Sequence, residues 1–172
     1  MITADYTRTM ARYSAWQNSA HIQAMATLSP AALTAPRGAF FETILATANH
    51  LLWGDTIWLH RFAGTPQPAR GSIAESPEET PDFDAYRAAR GVRDAEILDW
   101  TEALTDAGLS GTLSWHSGAL GRQVEKQRAV CVAHFFNHQT HHRGQILAML
   151  TAAGARPGDT DLFAMPGDYS VS

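Results

Sequence analysis

The sequence predicts an all-α protein, an up-down four-helix bundle with a short hairpin inserted before the last helix. Three observations support this prediction. Four long stretches repeat apolar residues at intervals of three and four, which is helical spacing. Segments that contain proline and glycine separate these stretches. One short stretch between the third and the fourth alternates apolar and polar residues, which is typical of a strand.

The first predicted helix covers residues 3–28 and ends at Ser29-Pro30, because the residue before a proline is disfavoured in a helix. The second covers residues 38–62. Its apolar residues surround nearly the whole helix, which is typical of a helix that is buried on more than one face. Gly64 ends it.

The segment of residues 63–81 contains repeated prolines and glycines, so we expect a long loop there. A third helix is predicted at residues 81–106. The stretch between Gly108 and Lys126 then alternates at strand spacing around a central turn, which predicts the hairpin. A fourth helix follows at residues 128–153.

The composition fits a single domain over residues 1–172, with 45% hydrophobic and 17% charged residues. The apolar residues of the tail, 159–172, are expected to pack on the bundle. A net charge of -4 and the absence of a basic patch argue against a nucleic-acid partner. No secretory signal and no membrane-spanning run are present, so we expect a cytoplasmic protein without a membrane partner. The lone Cys131 cannot form an internal disulfide and is interpreted as a buried structural thiol.

Histidines are concentrated in the fourth predicted helix, at His134, His138, His141 and His142. Residues four apart on a helix lie on one face, so His138 and His142 can direct their rings at a single ion. His142 falls within the apolar arc of this helix and His138 on its edge, whereas His134 and His141 fall on the opposite side. Other pairs in the group also have suitable spacing, and histidines held by hydrogen bonds alone are the alternative.

A metal site needs a third ligand from another helix. The remaining histidines are His21, His50, His60 and His116. His50 is the best placed, because it forms with Trp53 and Ile57 a separate stripe on the buried second helix. A histidine in that stripe requires a hydrogen bond or a metal, and a neutral histidine with one hydrogen-bond partner is the alternative.

Two polar residues, Gln139 and Arg143, project into the middle of the same apolar arc. Buried there, each must find a partner or cost a few kcal/mol. We predict that Gln139 and Arg143 orient the metal ligands without binding the ion themselves. Arg143 is expected to pair with a carboxylate of another helix or of a partner chain. The alternative is that both side chains reach the surface.

Three segments together resemble the DinB-like, YfiT-related family of damage-inducible bacterial proteins. The segments are Tyr13-Ser-Ala-Trp16-Gln-Asn18, Asn49-His50-Leu-Leu-Trp53-Gly-Asp55 with Trp58 and Arg61 to Gly64 after it, and His138-Gln-Thr-His141-His142-Arg143-Gly144-Gln145. The resemblance implies an up-down four-helix bundle, usually a homodimer, in which His50, His138 and His142 bind one divalent ion. Nickel, zinc, manganese and iron are all compatible with it. It also implies a thiol-dependent transferase or isomerase that uses a low-molecular-weight thiol, or a metal-dependent hydrolase.

Three neutral ligands leave an open position on the ion, which is typical of a catalytic site. From the resemblance we expect a thiol-dependent transferase that acts on a small electrophile, because a thiol bound to such an ion is ionised. His134 is a candidate proton shuttle at the mouth of the site, and a solvated surface histidine is the alternative. A metal-dependent hydrolase is the first alternative. Its general base must come from another helix, from Glu42, Asp55 or Glu96, because no acidic residue lies between Lys126 and Gly158. A non-catalytic, dimeric metal-binding bundle with a stress-related role is the second alternative.

Overall fold

The computed structural model describes residues 1–118 and 120–167. Helices account for 61% of the described residues, which confirms the prediction of a mostly helical protein. The helices of the described part are α1 (Ala4–Met25), α2 (Pro30–Thr34), α3 (Ile44–Ala63), α4 (Phe83–Ala103) and α5 (Arg128–Ala152). The predicted hairpin precedes α5 as two antiparallel strands, β1 (Thr112–Ser117) and β2 (Arg122–Gln127).

Three of the four long helices begin at a capping side chain. Thr3, Thr43 and Asp82 each accept a hydrogen bond from the backbone N–H three residues ahead, which satisfies a donor that the first helical turn leaves free. Helix α1 packs against α4 and α5, and α3 packs against the same two helices.

The helix directions differ from the predicted up-down order. Asp55 of α3 contacts Arg90 of α4, and Phe62 stacks on Trp100 further along both helices, so α3 and α4 run parallel. Tyr6 of α1 contacts Phe136 of α5, and Tyr13 contacts Arg143 further along both helices, so α1 and α5 also run parallel. The predicted up-down order is therefore wrong, because the connection between α3 and α4 is long enough to return the chain to the beginning of α3.

The returning segment, residues 64–82, is the predicted long loop, with one 3₁₀ turn at Ser76–Glu78. Side chains of α3 bind its backbone. The Trp53 indole N–H donates to the Arg70 carbonyl at 2.7 Å, and the Asn49 amide donates to the Pro77 and Thr80 carbonyls at 2.9 and 3.0 Å. The loop therefore covers the second apolar face of α3.

Three predicted helix boundaries are wrong. The third helix ends at Ala103 and not at 106, because the backbone of Leu104 is extended. The first helix ends at Met25, and Ser29 then begins the short helix Pro30–Thr34, since its hydroxyl caps the new first turn and proline is well tolerated there. The second long helix begins at Ile44 and not at 38. A tight turn precedes it, in which Glu42 has a positive φ of 62°, a backbone conformation that a helix cannot contain.

The core consists of two hydrophobic clusters at opposite ends of the long helices. The first includes Met25, Leu33, Ile44, Leu51, Tyr86 and Leu150. The second includes Ala11, Leu59, Phe62, Ile97, Phe135 and Phe136. Between them lies a polar layer formed by Ser14, Asn18, Asp55, Arg90, Asp94 and Gln139.

Arg90 is the centre of the polar layer. Its guanidinium is fully buried and pairs with Asp55 at 2.6 Å and with Asp94 at 2.9 Å. The Asn18 amide donates to Asp94 at 2.8 Å. The two carboxylates raise the pKa of Arg90 against the opposing effect of burial, whereas burial raises the pKa of Asp94. The pairing joins α1, α3 and α4.

Gln139 connects the fourth long helix to this layer. Its amide N–H donates to Asp55 at 3.0 Å, and its amide oxygen accepts from the Ser14 hydroxyl at 2.6 Å. Both of its polar atoms are thus satisfied inside the core, as a buried amide requires. All four long helices therefore contribute a side chain to one hydrogen-bonded group.

The hairpin and the tail pack on the outside of the helices. Trp115 of β1 lies opposite Val124 of β2, and its ring reaches Trp58 of α3 at a centroid distance of 5.3 Å. In the tail, Met165 is buried, whereas Phe163 is exposed, so the predicted packing holds for part of the segment. Tyr169 lies outside the described residues. No helix of the described residues has the length and apolarity needed to cross a membrane.

Replacing Arg90 with methionine tests the polar layer. The variant leaves two carboxylates buried without their cation, so we expect the free energy of unfolding to fall by about 3–5 kcal/mol in urea denaturation. Arg87→Met is the matched control, because its ion pair with Asp84 is exposed on the same helix. The control should change stability by less than about 0.5 kcal/mol. Equal losses in the two variants would contradict the prediction.

Candidate metal centre

Three histidines from two helices meet at one point beside the polar layer. His50 comes from α3, and His138 and His142 come from successive turns of α5. Each offers a ring nitrogen, and these three nitrogens lie within 4.8 Å of one another. The ring centroids are 5.3 Å apart for His50 and His138 and 4.4 Å apart for His138 and His142. This spacing is close enough for three imidazoles to share one ion.

A hydrogen bond determines which ring nitrogen of His50 carries the proton. Its Nδ1 lies 2.7 Å from the Ser76 hydroxyl, which itself donates to the Ile73 carbonyl at 2.6 Å. Because a hydroxyl has a single proton to donate, Ser76 accepts from Nδ1–H. The His50 Nε2 atom is therefore unprotonated and has a free lone pair, as a metal ligand requires.

His142 has an equivalent arrangement. Its Nδ1–H donates to the Gln145 side-chain oxygen at 2.8 Å, which leaves Nε2 unprotonated. The Nδ1 atom of His138 is buried and has no hydrogen-bond partner among the described residues. An unsatisfied polar atom of this kind is costly in a core. The donor set of three neutral imidazoles thus fits a divalent ion such as zinc or nickel.

Gly54 makes room for the His138 ring. A Cβ atom at this position of α3 would lie 2.7 Å from Cε1 of His138 and 3.3 Å from its Nδ1. Side chains do not approach so closely, so any larger residue displaces the ring. Glycine is otherwise disfavoured inside a helix. Its presence here is explained by the close approach of α5.

The three histidines are neutral at pH 7. Burial, reinforced by the neighbouring histidines, lowers the pKa of His138 to about 3. Burial and then the charge of His142 lower the pKa of His50 to about 4. Burial also lowers the pKa of His142, although its hydrogen bond to the Gln145 oxygen acts in the opposite direction. Neutral imidazole is the form that binds metals, so the environment prepares all three for this role.

Aromatic rings enclose His50. Phe41 stacks on it at a centroid distance of 4.0 Å, and Trp53 lies on a nearly parallel plane at 6.0 Å. Phe41 belongs to the tight turn before α3, and the positive φ of Glu42 places the turn against the site. The rings limit the access of water to His50 and restrict its rotation.

The histidines open into a cleft of about 950 Å³ between α3, α5, the long loop and the hairpin. Its walls include Trp53, Ile57, Trp58 and Trp115. Six histidines and Arg61 also line it, and no aspartate or glutamate of the described residues does. The cleft is therefore apolar and aromatic, with polar groups that bear positive charge or none. Its volume is in the range of sites for small molecules.

The structure brings some of the predicted residues to this cleft and directs others elsewhere. His134 and His141 are exposed at its mouth. The His134 ring lies 5.9 Å from that of His138, and burial followed by the charge of Arg61 lowers its pKa. Cys131 is buried in the second hydrophobic cluster, as predicted.

Gln139 and Arg143 turn toward α1. Gln139 belongs to the polar layer. The Arg143 guanidinium lies over the Tyr13 ring at 5.3 Å and reaches the Thr140 hydroxyl at 3.5 Å. No carboxylate of the described residues forms an ion pair with it. Neither residue bonds a histidine of the cluster, so any support that they give to the ligands acts through the position of α5.

Sequence analysis missed Ser76, Gly54, Phe41 and Gln145 as parts of the site. Gln145 was detectable, because it follows His142 by three residues on the same helix face. Gly54, four residues after His50 on α3, was detectable for the same reason. Ser76 and Phe41 lie in irregular segments whose approach to the histidines follows from tertiary structure.

Comparison with known proteins identifies the family of the chain and a similar fold. The sequence profile of the DinB family matches residues 1–167. The fold is similar to the crystal structure of a DinB-like protein from Bacillus cereus, with 19% identity, a TM-score of 0.55 and coverage of 90% of this chain and 91% of that chain. No curated protein matches the sequence. Because the profile covers nearly the whole chain, this protein belongs to the DinB family.

Proposed function

We propose that residues 1–172 form a single four-helix-bundle domain whose His50, His138 and His142 bind one divalent ion for catalysis. The observation that carries the proposal is the convergence of three neutral ring nitrogens within 4.8 Å, at the inner end of a small-molecule cleft. Nickel, zinc, manganese and iron are the candidate ions. Imidazole ligands suit zinc, nickel and iron best.

The reaction that we propose is transfer of a low-molecular-weight thiol to a small electrophile. A divalent ion with three neutral ligands supplies an open position at which a thiol is ionised. Around it, the chain provides an aromatic cleft that holds an uncharged or anionic substrate and excludes bulk water. Membership of the DinB family is consistent with this reaction class.

His134 is the proposed proton-transfer residue. Its imidazole lies at the cleft mouth next to His138, and its lowered pKa keeps it neutral at pH 7, in the form that accepts a proton. We propose an indirect role for Gln139 and Arg143. Their contacts with α1 hold α5, which carries the ligands His138 and His142, in position.

Metal-dependent hydrolysis is less well supported, because no carboxylate of the described residues lines the cleft to serve as its general base. Asp55 is buried in its pair with Arg90, and Glu96 pairs with Arg93 on α4. Glu42 is exposed and does not line the cleft. A carboxylate base would have to move from its present partner to reach the site.

Homodimerisation and a cytoplasmic, stress-related role are further proposals that rest on family membership. The second apolar face of α3 gives no separate support for a dimer, since the long loop and the cleft occupy it. Sedimentation at micromolar concentration decides the oligomeric state.

Metal analysis of protein purified without chelator or nickel resin tests the site directly. We expect about one ion per chain, and its loss in His138→Ala, because two imidazoles hold an ion much less tightly than three. His141→Ala removes an exposed histidine adjacent to the cluster and should keep the ion. Metal-free wild-type protein, or an ion that persists in His138→Ala, would contradict the assignment.

Gly54→Ala tests the geometry without removing a ligand. Alanine favours the helix by about 1 kcal/mol, so the variant should fold. Its Cβ displaces the His138 ring, and we expect metal affinity to fall roughly ten-fold or more, the scale seen when the support of a ligand histidine is removed.

Gly91→Ala on α4 is the matched control for Gly54→Ala, since a Cβ there meets no atom within 4 Å. It should gain up to about 1 kcal/mol of stability and bind metal as the wild type does. Competition with a chromophoric chelator measures both affinities. Equal affinities for the two variants would show that the His138 ring has space to move.

Thiol transfer is tested with metal-loaded protein, a low-molecular-weight thiol and a model electrophile. We expect steady formation of the thiol adduct that depends on added metal and is lost in His138→Ala. Activity that is unchanged in His138→Ala would refute the transferase. A protein that is stabilised by metal but converts no thiol acceptor or ester in a broad screen would favour the non-catalytic bundle.

A further inference from the structure

We propose that Arg61 is a carboxylate-binding residue of the cleft, and that the ligand of this protein is a small molecule with a carboxylate at one end. The inference rests on the proposed function, because it assigns the substrate class of the same cleft. Three observations carry it: the position of Arg61, its lack of an acidic partner and the charge of the cleft walls.

Arg61 lies on the cleft face of α3. Gly54, Trp58 and Arg61 follow one another at intervals of four and three residues, so they share one face of the helix. Gly54 borders His138 at the inner end of the cleft. Arg61 therefore lies two turns, roughly 10 Å along the helix axis, from the histidine cluster.

Two indole rings hold the Arg61 guanidinium in place. Its central carbon lies 4.6 Å from the Trp58 ring centroid and 5.3 Å from that of Trp115 on the hairpin. Cation–π contacts of this kind involve the planar faces of a guanidinium. The N–H groups in its plane remain available for hydrogen bonds. The side chain is thus organised before any ligand arrives.

No carboxylate pairs with Arg61 among the described residues. Arg61 differs in this from Arg90 and Arg93, which pair with acidic side chains. It resembles the buried Arg143, which has no ion pair within the described part of the chain either. Burial lowers the pKa of Arg61, so the charge is partly desolvated and uncompensated by an ion pair. A half-buried arginine without a counter-ion, at the wall of a cleft, is suited to bind an anion from solution.

The walls of the cleft favour the same ligand. They contain histidines and Arg61 but no described acidic side chain, although the whole chain has a net charge of -4. A cationic cleft on an acidic protein attracts anions selectively. The indoles between Arg61 and the histidines fit a flat, apolar body. A carboxylate at Arg61 would then leave the opposite end of the ligand near His138.

The carboxylate belongs either to the electrophilic substrate or to the thiol. Pairs of ligands that differ only in this group distinguish the two sources. Cinnamate and cinnamamide, with 3-phenylpropanoate and its amide, represent the substrate. Mercaptoacetate and mercaptoacetamide represent the thiol. Because Trp58 and Trp115 contact Arg61, tryptophan fluorescence reports binding in the metal-loaded protein.

We expect at least one acid to bind about ten-fold more tightly than its amide, a preference that charge-assisted hydrogen bonds to a guanidinium supply. Arg61→Gln should abolish the preference, and Arg61→Lys should retain part of it. Arg70→Gln is the matched control, since it removes the same charge from the loop, where Arg70 is already bonded to the Glu78 carbonyl. The control should keep the preference.

Repeating the titrations in His138→Ala separates this inference from the metal proposal. A preference that survives in His138→Ala and disappears in Arg61→Gln supports Arg61, even if the protein binds no metal. A preference that survives in Arg61→Gln and disappears in His138→Ala would show that the carboxylate binds at the histidine cluster, and would overturn the proposal. The absence of a preference for any acid in the series would also overturn it.

Discussion

The fully buried ion pair between Asp55 and Arg90 is the constraint on which the rest of the structure depends. A buried carboxylate and guanidinium tolerate little displacement, because a broken pair leaves two desolvated charges. Gln139 extends the pair to α5, and Asp94 with Asn18 extends it to α1. The two hydrophobic clusters on either side can slide by small amounts, since apolar contacts are not directional. The polar layer cannot, so it determines the register of the four long helices.

That register also determines the geometry of the histidine cluster. Asp55 directly follows Gly54, which borders the His138 ring, and Gln139 directly follows His138. The hydrogen bond between Asp55 and Gln139 therefore holds α3 and α5 together at the height where His50 faces the other two histidines. A shift of one residue in either helix would break this bond and separate the ligands. The position of the site beside the polar layer thus has a structural reason.

The periodicity of the sequence was sufficient to predict the long helices, the hairpin and the three clustered histidines. Residues four apart on α5 share a face whatever surrounds them, so His138 and His142 were accessible to local reasoning. The parallel course of α3 and α4 was not, because it depends on where a long loop returns. The second helix was predicted to start too early, since the turn at Glu42 has an apolar neighbourhood like that of a helix. The partner of Arg143 was predicted as a carboxylate, whereas the aromatic face of Tyr13 fills that place. These features are decided by contacts between segments that are distant in the chain.

The hydrogen bond between His50 and Ser76 joins a long helix to an irregular loop. Ser76 belongs to the long loop, whose residues 71–74 form one wall of the cleft, whereas His50 belongs to a packed helix. Any interaction that fixes the position of this loop also fixes the tautomer of His50. Any ligand that binds the Nε2 atom of His50 in turn strengthens the hydrogen bond from Nδ1 to Ser76. Thermodynamic reciprocity requires the two effects to be equal in free energy. A ligand that contacts residues 71–74 and an ion at the histidine cluster therefore both act on the hydrogen bond between His50 and Ser76.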